Sequence, residues 1–168
     1  MRVLGIDPGL ATVGCGIVER RGGDRLVCLH YEAFHTGSSD DVGARLQQIY
    51  DAACTWIDRY SPDVIAVEKL FFNRNVTNAF AVGQARGVIV LAAVQRGLEV
   101  AEYTPMQVKQ AVTGYGGADK YQVQEMVRLL LRLAERPRPD DAADALAVAV
   151  CHAHASMWTE KIREGIGP

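Results

Sequence analysis

The sequence predicts an α/β fold in which a mixed central sheet is flanked by helices. Three β-rich segments come first, within residues 3–34, and the short connections between them favour hairpins. Two short apolar segments then alternate with helical patterns, which is typical of strands joined by helices packed on the sheet. No repeat or long linker divides the 168 residues, so we expect one domain.

The three β-rich segments are bounded by turn residues. Val3–Ile6 is a continuous apolar run, and Gly14–Val18 follows it after a turn at Pro8-Gly9. Leu26–Phe34 is the third segment. Because apolar residues dominate each of them, we predict three successive strands.

A first helix is predicted between an acidic cap and a proline. Asp40 or Asp41 could cap its first turn, and Pro62 would stop it. Val64–Val67 then forms a short continuous apolar run, as expected of a buried central strand. Apolar residues three and four apart define the predicted buried face of the helix: Leu46, Ile49, Tyr50, Ala53 and Ile57.

The next segment alternates helices with one more strand. A long helix is predicted over 76–97, and Glu99–Tyr103 is a short strand. Pro105 opens a helix to about Val112, because proline suits the first helical position.

Two further helices follow a glycine-rich loop at 114–117. Asp119 and Gln122 have the spacing of a capping box, and their helix runs to about Leu133. Asp140 would cap the last helix after the proline-containing break at 136–139.

The last helix is predicted to end at about Trp158. Two glycines and a terminal proline follow it, so we expect residues 158–168 to form a flexible tail. The predicted folded domain therefore spans 1–157.

Composition is that of a globular protein, with 49% hydrophobic and 23% charged residues. No apolar run reaches the roughly 18 residues of a membrane span, and the N-terminus does not have the pattern of a signal peptide. The four cysteines are far apart, which argues against a zinc site or disulfides and favours a cytoplasmic location. They are Cys15, Cys28, Cys54 and Cys151.

Charge is distributed unevenly along the chain. Residues 1–68 carry a net charge of −4, residues 69–138 carry +5, and residues 139–168 carry −3. A basic middle between acidic ends could be a phosphate-binding face beside an acidic site. Chance variation on a solvated surface is the alternative, and charge alone does not decide between them.

Two carboxylates lie where apolar strands end. Asp7 directly follows Val3–Ile6, and Glu68 directly follows Val64–Val67. Open α/β sheets bind their ligands at such strand ends. These positions therefore predict a functional site.

Asp141 and Asp144 add two carboxylates on one face of the last helix. Asp144 is the only charged residue between Ala142 and Cys151, so its face should point inward. A buried carboxylate needs a cation or hydrogen-bond donors. Oxygen ligands suit Mg²⁺ or Mn²⁺, and such a set can hold two ions about 3.5–4 Å apart. Asp141 could instead only stabilise the helix N-terminus.

Five motifs in order resemble the RuvC family of bacterial Holliday-junction resolvases, over about residues 1–157. The family is identified by this order and spacing, since each motif alone is modest. The motifs are Gly5-Ile6-Asp7-Pro8-Gly9, Val67-Glu68-Lys69-Leu70-Phe71-Phe72, Gly83-Gln84-Ala85-Arg86-Gly87, Val108-Lys109-Gln110-Ala111-Val112 and Asp141-Ala142-Ala143-Asp144-Ala145-Leu146-Ala147.

The resemblance implies an RNase H-like fold and a homodimer that nicks a four-way junction symmetrically in recombination and repair. It implies magnesium as the cofactor, with two ions per site and manganese as a substitute, and the RuvA-RuvB branch-migration complex as a partner. The implied metal ligands are four carboxylates: Asp7, Glu68, Asp141 and Asp144.

The resemblance also implies DNA contacts. Lys109 and Lys120 would lie near the scissile phosphate, and Phe71 would stack on a base. On residue type alone, each lysine could be a solvated charge and Phe71 could belong to the core. Arg74 and Arg86 are candidate contacts to the DNA backbone. Arg128, Arg132 and Arg138 are further candidates for the same role.

Several features of the sequence also allow interpretations that do not come from the resemblance. Helix 76–97 has more apolar surface than one buried face requires, which makes it a candidate dimer surface. Asp7-Pro8-Gly9 also resembles the phosphate loop of actin-like ATPases, although those have two lobes and longer chains. A nuclease for RNA or RNA–DNA hybrids and a non-catalytic junction-binding protein are the remaining alternatives. His152 and His154 lie far from Asp141, and we expect no ligand role for them.

Overall fold

The computed structural model describes residues 1–22, 25–69, 76–163 and 165. Its centre is a five-stranded sheet with the strand order β3-β2-β1-β4-β5. The predicted mixed sheet is confirmed, because β1 is antiparallel to β2 and parallel to β4. The strands are β1 (Arg2–Asp7), β2 (Thr12–Arg21), β3 (Arg25–His35), β4 (Val64–Glu68) and β5 (Glu99–Tyr103).

Helices cover both faces of the sheet, and alternation along each strand divides the core into two layers. Leu4 and Ile6 point to the layer beneath α1 and α2. Val3 and Ala66 point to the layer beneath α3, α4 and α5. The helices are α1 (Val42–Tyr60), α2 (Val76–Gln95), α3 (Pro105–Thr113), α4 (Lys120–Leu131) and α5 (Asp140–Arg163).

The helix signals in the sequence are confirmed at three starts. Asp41 caps α1, and its side chain accepts a hydrogen bond from the backbone N–H of Ala44 at 3.0 Å. Pro105 is in the first turn of α3. Asp119 and Gln122 form the predicted capping box at α4, with both reciprocal hydrogen bonds present.

Two helix ends differ from the prediction. α4 stops at Leu131 because Arg132 takes a left-handed conformation with φ of 54°. α5 continues to Arg163, well beyond Trp158 and through part of the predicted tail. Arg20 on β2 donates to the Glu160 carboxylate at 2.6 Å and so ties this last stretch of helix to the sheet.

Neither a membrane span nor a disulfide is found in the described part of the chain. None of its helices is both long enough and apolar enough to cross a bilayer. All four cysteines are free thiols, and two of them, Cys15 and Cys151, are buried.

Candidate active site

Asp7 and Glu68 lie side by side at the ends of two parallel strands. Ile6 of β1 pairs with Val67 of β4, so the two carboxylates occupy the next positions of adjacent strands. Ile6 and Val67 both belong to the layer beneath α1 and α2. Because side chains alternate along a strand, Asp7 and Glu68 point to the opposite face, where α5 lies.

Glycines let α5 approach this face closely. A Cβ atom added at Gly14 of β2 would overlap the backbone carbonyl of Asp141 and lie 3.1 Å from Cβ of Asp7. A Cβ atom added at Gly5 would likewise overlap the carbonyl of Ala145. The helix backbone therefore rests directly on the sheet, and this close packing brings the first turns of α5 beside Asp7.

The pKa of Asp7 reflects its burial and the negative charges around it. Burial is the main cause that raises it, from the ordinary 3.8 to about 7. Three neighbouring carboxylates raise it further, those of Asp144, Asp141 and Glu68, while Lys120 acts in the opposite direction. All four predicted carboxylates are thus close enough to interact electrostatically.

Two lysines partly offset the charge of the other carboxylates. Burial raises the pKa of Glu68, the charge of Asp144 adds to this, and Lys109 lowers it. Burial likewise raises the pKa of Asp144, against a hydrogen bond from Lys120. The Lys120 ammonium lies 3.1 Å from an oxygen of Asp144 and 3.1 Å from one of Asp140.

These groups line one small cleft. Its volume is about 270 Å³, and its walls include Glu68, Lys109, Lys120 and Asp144. The structure therefore brings the two predicted DNA-contacting lysines to two of the four predicted carboxylates, Glu68 and Asp144. Such a cleft can place a phosphate between ammonium groups and a carboxylate-bound cation.

The donor set fits a hard divalent cation. Carboxylate oxygens are the ligands that Mg²⁺ prefers, and a bound cation would offset both the burial and the neighbouring charges that raise the pKa of Asp7. Among the residues that the structure describes, however, no three such side chains stand close enough to form a finished metal cage. The fold thus gathers the four predicted carboxylates near the ends of β1 and β4 without closing them around a point.

Other predicted residues lie elsewhere. Arg86 forms an ion pair with Glu102 of β5, so its guanidinium is already engaged. Phe71 and Arg74 lie outside the described residues. His152 is within hydrogen-bond distance of the Tyr103 hydroxyl, 2.8 Å, and is not part of the carboxylate group.

Asp140 is the residue whose role the sequence reasoning missed. The prediction that it caps the last helix is wrong, because it is itself inside α5 and the carbonyl of Pro139 accepts from the N–H groups of Ala142 and Ala143. Its carboxylate instead contacts Lys120 and Gln124 of α4. No local sequence pattern signals a contact between these two helices.

Comparison with known proteins places the chain among resolvases. The family model for the crossover junction endodeoxyribonuclease RuvC matches residues 3–152. The chain is 56% identical to the protein of that name from Brevibacillus brevis over 166 residues, which cover 99% of both chains. It is 55% identical to that from Moorella thermoacetica over 167 residues, again 99% of both.

Solved structures give the same result. Thermus thermophilus RuvC in complex with a Holliday-junction substrate superposes with a TM-score of 0.89 at 40% identity, covering 99% of this chain and 97% of that one. The yeast mitochondrial Holliday junction resolvase superposes with a TM-score of 0.73 at 11% identity, covering 98% and 82%. The second match supports the fold alone, and together they confirm the predicted RNase H-like architecture.

Proposed function

The chain belongs to the RuvC family of crossover junction endodeoxyribonucleases, and from that membership we propose that it resolves Holliday junctions in homologous recombination and DNA repair. It does so by paired symmetric nicks, each a metal-dependent hydrolysis of a phosphodiester. The observation that carries this proposal is the cluster of carboxylates beside two lysines at the end of β1 and β4.

Asp7, Glu68, Asp141 and Asp144 would hold the metal. We propose Mg²⁺, with Mn²⁺ as a substitute and two ions per site when DNA is bound. The support is the chemistry of the ligands, all of them hard oxygen donors, and the unbalanced negative charge around Asp7. Bound there, the metal would activate a water and stabilise the departing 3′ oxygen.

The chain's own residues would position the DNA. Lys109 and Lys120 line the cleft and would neutralise the phosphate that is cut. Phe71 would stack on a base next to the site, and Arg74 would contact the backbone. Arg86 would reach a phosphate only by giving up Glu102, which makes it the weakest of these candidates.

Two symmetric nicks require two copies of the site, and α2 offers a surface for a homodimer. Its buried face includes Ala85 and Ile89. Its outer face exposes three large apolar side chains 11 and 14 residues apart, which places them on one stripe. They are Phe80, Leu91 and Val94. Gly87 lies between them, and a Cβ atom added there would meet no atom within 4 Å. A second copy of α2 would cover this stripe.

The RuvA-RuvB branch-migration complex is a further proposed partner, and we propose that the protein acts in the cytoplasm.

Cleavage of three substrates tests the proposal: a synthetic four-way junction, a linear duplex and an RNA–DNA hybrid, each with Mg²⁺ and with a chelator. We expect paired nicks in the junction alone, and only with metal. Asp7→Asn should bind the junction without cutting it, because binding depends on the basic groups and cutting on the carboxylates. Cutting of the hybrid in preference to the junction, or cutting by Asp7→Asn, would refute the proposal.

A further inference from the structure

Asp140 lies between two side chains of α4. One carboxylate oxygen accepts a hydrogen bond from the Gln124 side-chain amide at 2.9 Å. The other lies 3.1 Å from the Lys120 ammonium. The amide holds one oxygen in place, so the other oxygen presents a fixed position to Lys120. The hydrogen bond from Gln124 lowers the pKa of Asp140, and the Lys120 ammonium lowers it further.

Lys120 therefore has two partners of different kinds. Asp144 belongs to the carboxylate group proposed to hold metal, and it also lies 3.1 Å from the ammonium. Asp140 is more exposed and stands outside that group, with 66% of its side chain exposed against 36% for Asp144. A cation bound by Asp144 would compete with Lys120 for that carboxylate, but it would leave the contact to Asp140 intact.

We propose that Asp140 is a positioning residue. Together with Gln124 it would keep the Lys120 ammonium at the cleft when Asp144 binds the metal. The inference rests on the role proposed above for Lys120 at the phosphate. Without the Asp140 carboxylate, Lys120 has two alternatives, which are to remain on Asp144 or to move into solvent. In the first case it would compete with the metal for that carboxylate, and in the second it would leave the cleft.

If Asp140 had a purely structural role, the loss of cutting caused by Asp140→Asn would depend differently on Lys120. As an acidic residue in the first turn of α5, it also stabilises the helix N-terminus. That effect would be independent of Lys120, so the loss caused by Asp140→Asn would be the same with or without the lysine. A positioning role predicts instead that the loss disappears when Lys120 is absent.

A double-mutant cycle on the full-length protein tests this. Single-turnover cutting of a four-way junction is measured for the unchanged protein, Asp140→Asn, Lys120→Met and the double variant, together with junction affinity. Because ion pairs between exposed groups are weak, we expect Asp140→Asn to slow cutting about three- to fivefold. Junction affinity should stay within about twofold, since no phosphate contact is removed. In the Lys120→Met background, Asp140→Asn should have no further effect.

A matched control removes a different carboxylate from the same region. Glu125 of α4 pairs with Arg128 on its own helix and does not contact Lys120. Glu125→Gln should cut at the normal rate. An equal loss from Asp140→Asn in both backgrounds would overturn the proposal, as would normal cutting by Asp140→Asn.

A second measurement does not depend on activity. Metal-free, DNA-free protein is treated with an acetylating ester, and modification of Lys120 is compared with that of Lys109 by peptide mass spectrometry. Asp140→Asn should raise the modification of Lys120 about threefold relative to Lys109, because one of its two carboxylate partners is gone. An unchanged ratio would overturn the proposed contact. Normal cutting by Lys120→Met would instead refute the proposed role of the lysine, whatever the acetylation result for Asp140.

Discussion

Asp7 combines a central place in the proposed mechanism with a cost to the folded protein. Its pKa is raised to about 7 by burial and by its carboxylate neighbours, whereas an unfolded chain would show the ordinary 3.8. Well below pH 3.8 the group is neutral in both states and has no effect on stability. As pH rises from 4 to 7, the unfolded state ionises first, so the metal-free folded state loses stability. Above pH 7 the loss is complete.

Replacement of Asp7 by asparagine should therefore stabilise the metal-free protein while it abolishes cutting. At pH 8 with chelator we expect a gain on the order of 2–4 kcal/mol in the free energy of unfolding, and at about pH 3 almost none. Urea unfolding at the two pH values measures it. Asp58→Asn is the control, because that carboxylate is exposed and pairs with Arg96. A variant of Asp7 that is less stable at pH 8 would contradict this account.

At the residue scale, the sequence identified those groups whose chemistry conflicts with their neighbours. Asp7, Glu68 and Asp144 could be predicted because each is a charge within an apolar element. Asp140 could not, because its neighbours in sequence resemble a helix start and its partners lie on another helix. The partner of Arg86 was equally hidden, since Glu102 belongs to a different element.

At the scale of elements, the contact between α5 and the sheet sets the geometry of the site. Gly14→Ala would place a methyl group against the backbone of Asp141, which cannot move aside as a flexible side chain could. The helix would have to shift outward, separating Asp141 from Asp7. We expect a loss of about 1–3 kcal/mol in stability and a severe loss of cutting. Thermal unfolding and junction cleavage measure the two effects.

Gly22→Ala is the matched control for that substitution. Gly22 has no atom within 4 Å of an added Cβ, so an alanine fits there without displacing anything. It should leave both stability and cutting nearly unchanged. Equal behaviour of the two alanine variants would show that close packing of α5 is not what positions its aspartates.

Helix starts were predictable because the chemistry that makes them is local. The Asp119–Gln122 capping box uses residues three apart, and the cap of α1 likewise uses Asp41 and Ala44. The last turns of α5 instead contact Arg20 through Glu160, and Arg20 is distant in sequence. Contacts of that kind follow from the assembled sheet, and no local pattern contains them.

At the scale of the whole molecule, the order of the strands in the sheet could not be predicted from hydrophobic periodicity. Apolar runs predicted β1 and β4 separately, but their parallel pairing depends on the path of the chain between them, through β2, β3 and α1. The five ordered motifs led to the RNase H-like fold, and that fold makes β1 and β4 neighbours at the centre of the sheet. The meeting of Asp7 with Glu68 therefore followed from the family resemblance rather than from the residues alone.

The proposed homodimer can be tested at the exposed apolar stripe of α2. Leu91 lies at the centre of the exposed apolar stripe of α2, with 49% of its surface exposed. Leu91→Glu would bury an unpaired carboxylate in the proposed dimer interface, which costs several kcal/mol. We expect the variant to sediment as a monomer while its fold stays intact. Leu129→Glu on α4 is the matched control, because Leu129 is 51% exposed and lies away from α2, so that variant should remain dimeric.

Loss of the dimer should also change the products of cutting. On a supercoiled plasmid with an extruded four-way junction, two coupled nicks give linear DNA, whereas a single nick gives an open circle. We expect the unchanged protein and Leu129→Glu to give mainly linear DNA. Leu91→Glu should give open circles at a lower rate, because one site can no longer place its partner on the opposite strand. A Leu91→Glu protein that stays dimeric and makes linear DNA would move the interface away from α2, while leaving the carboxylate site unaffected.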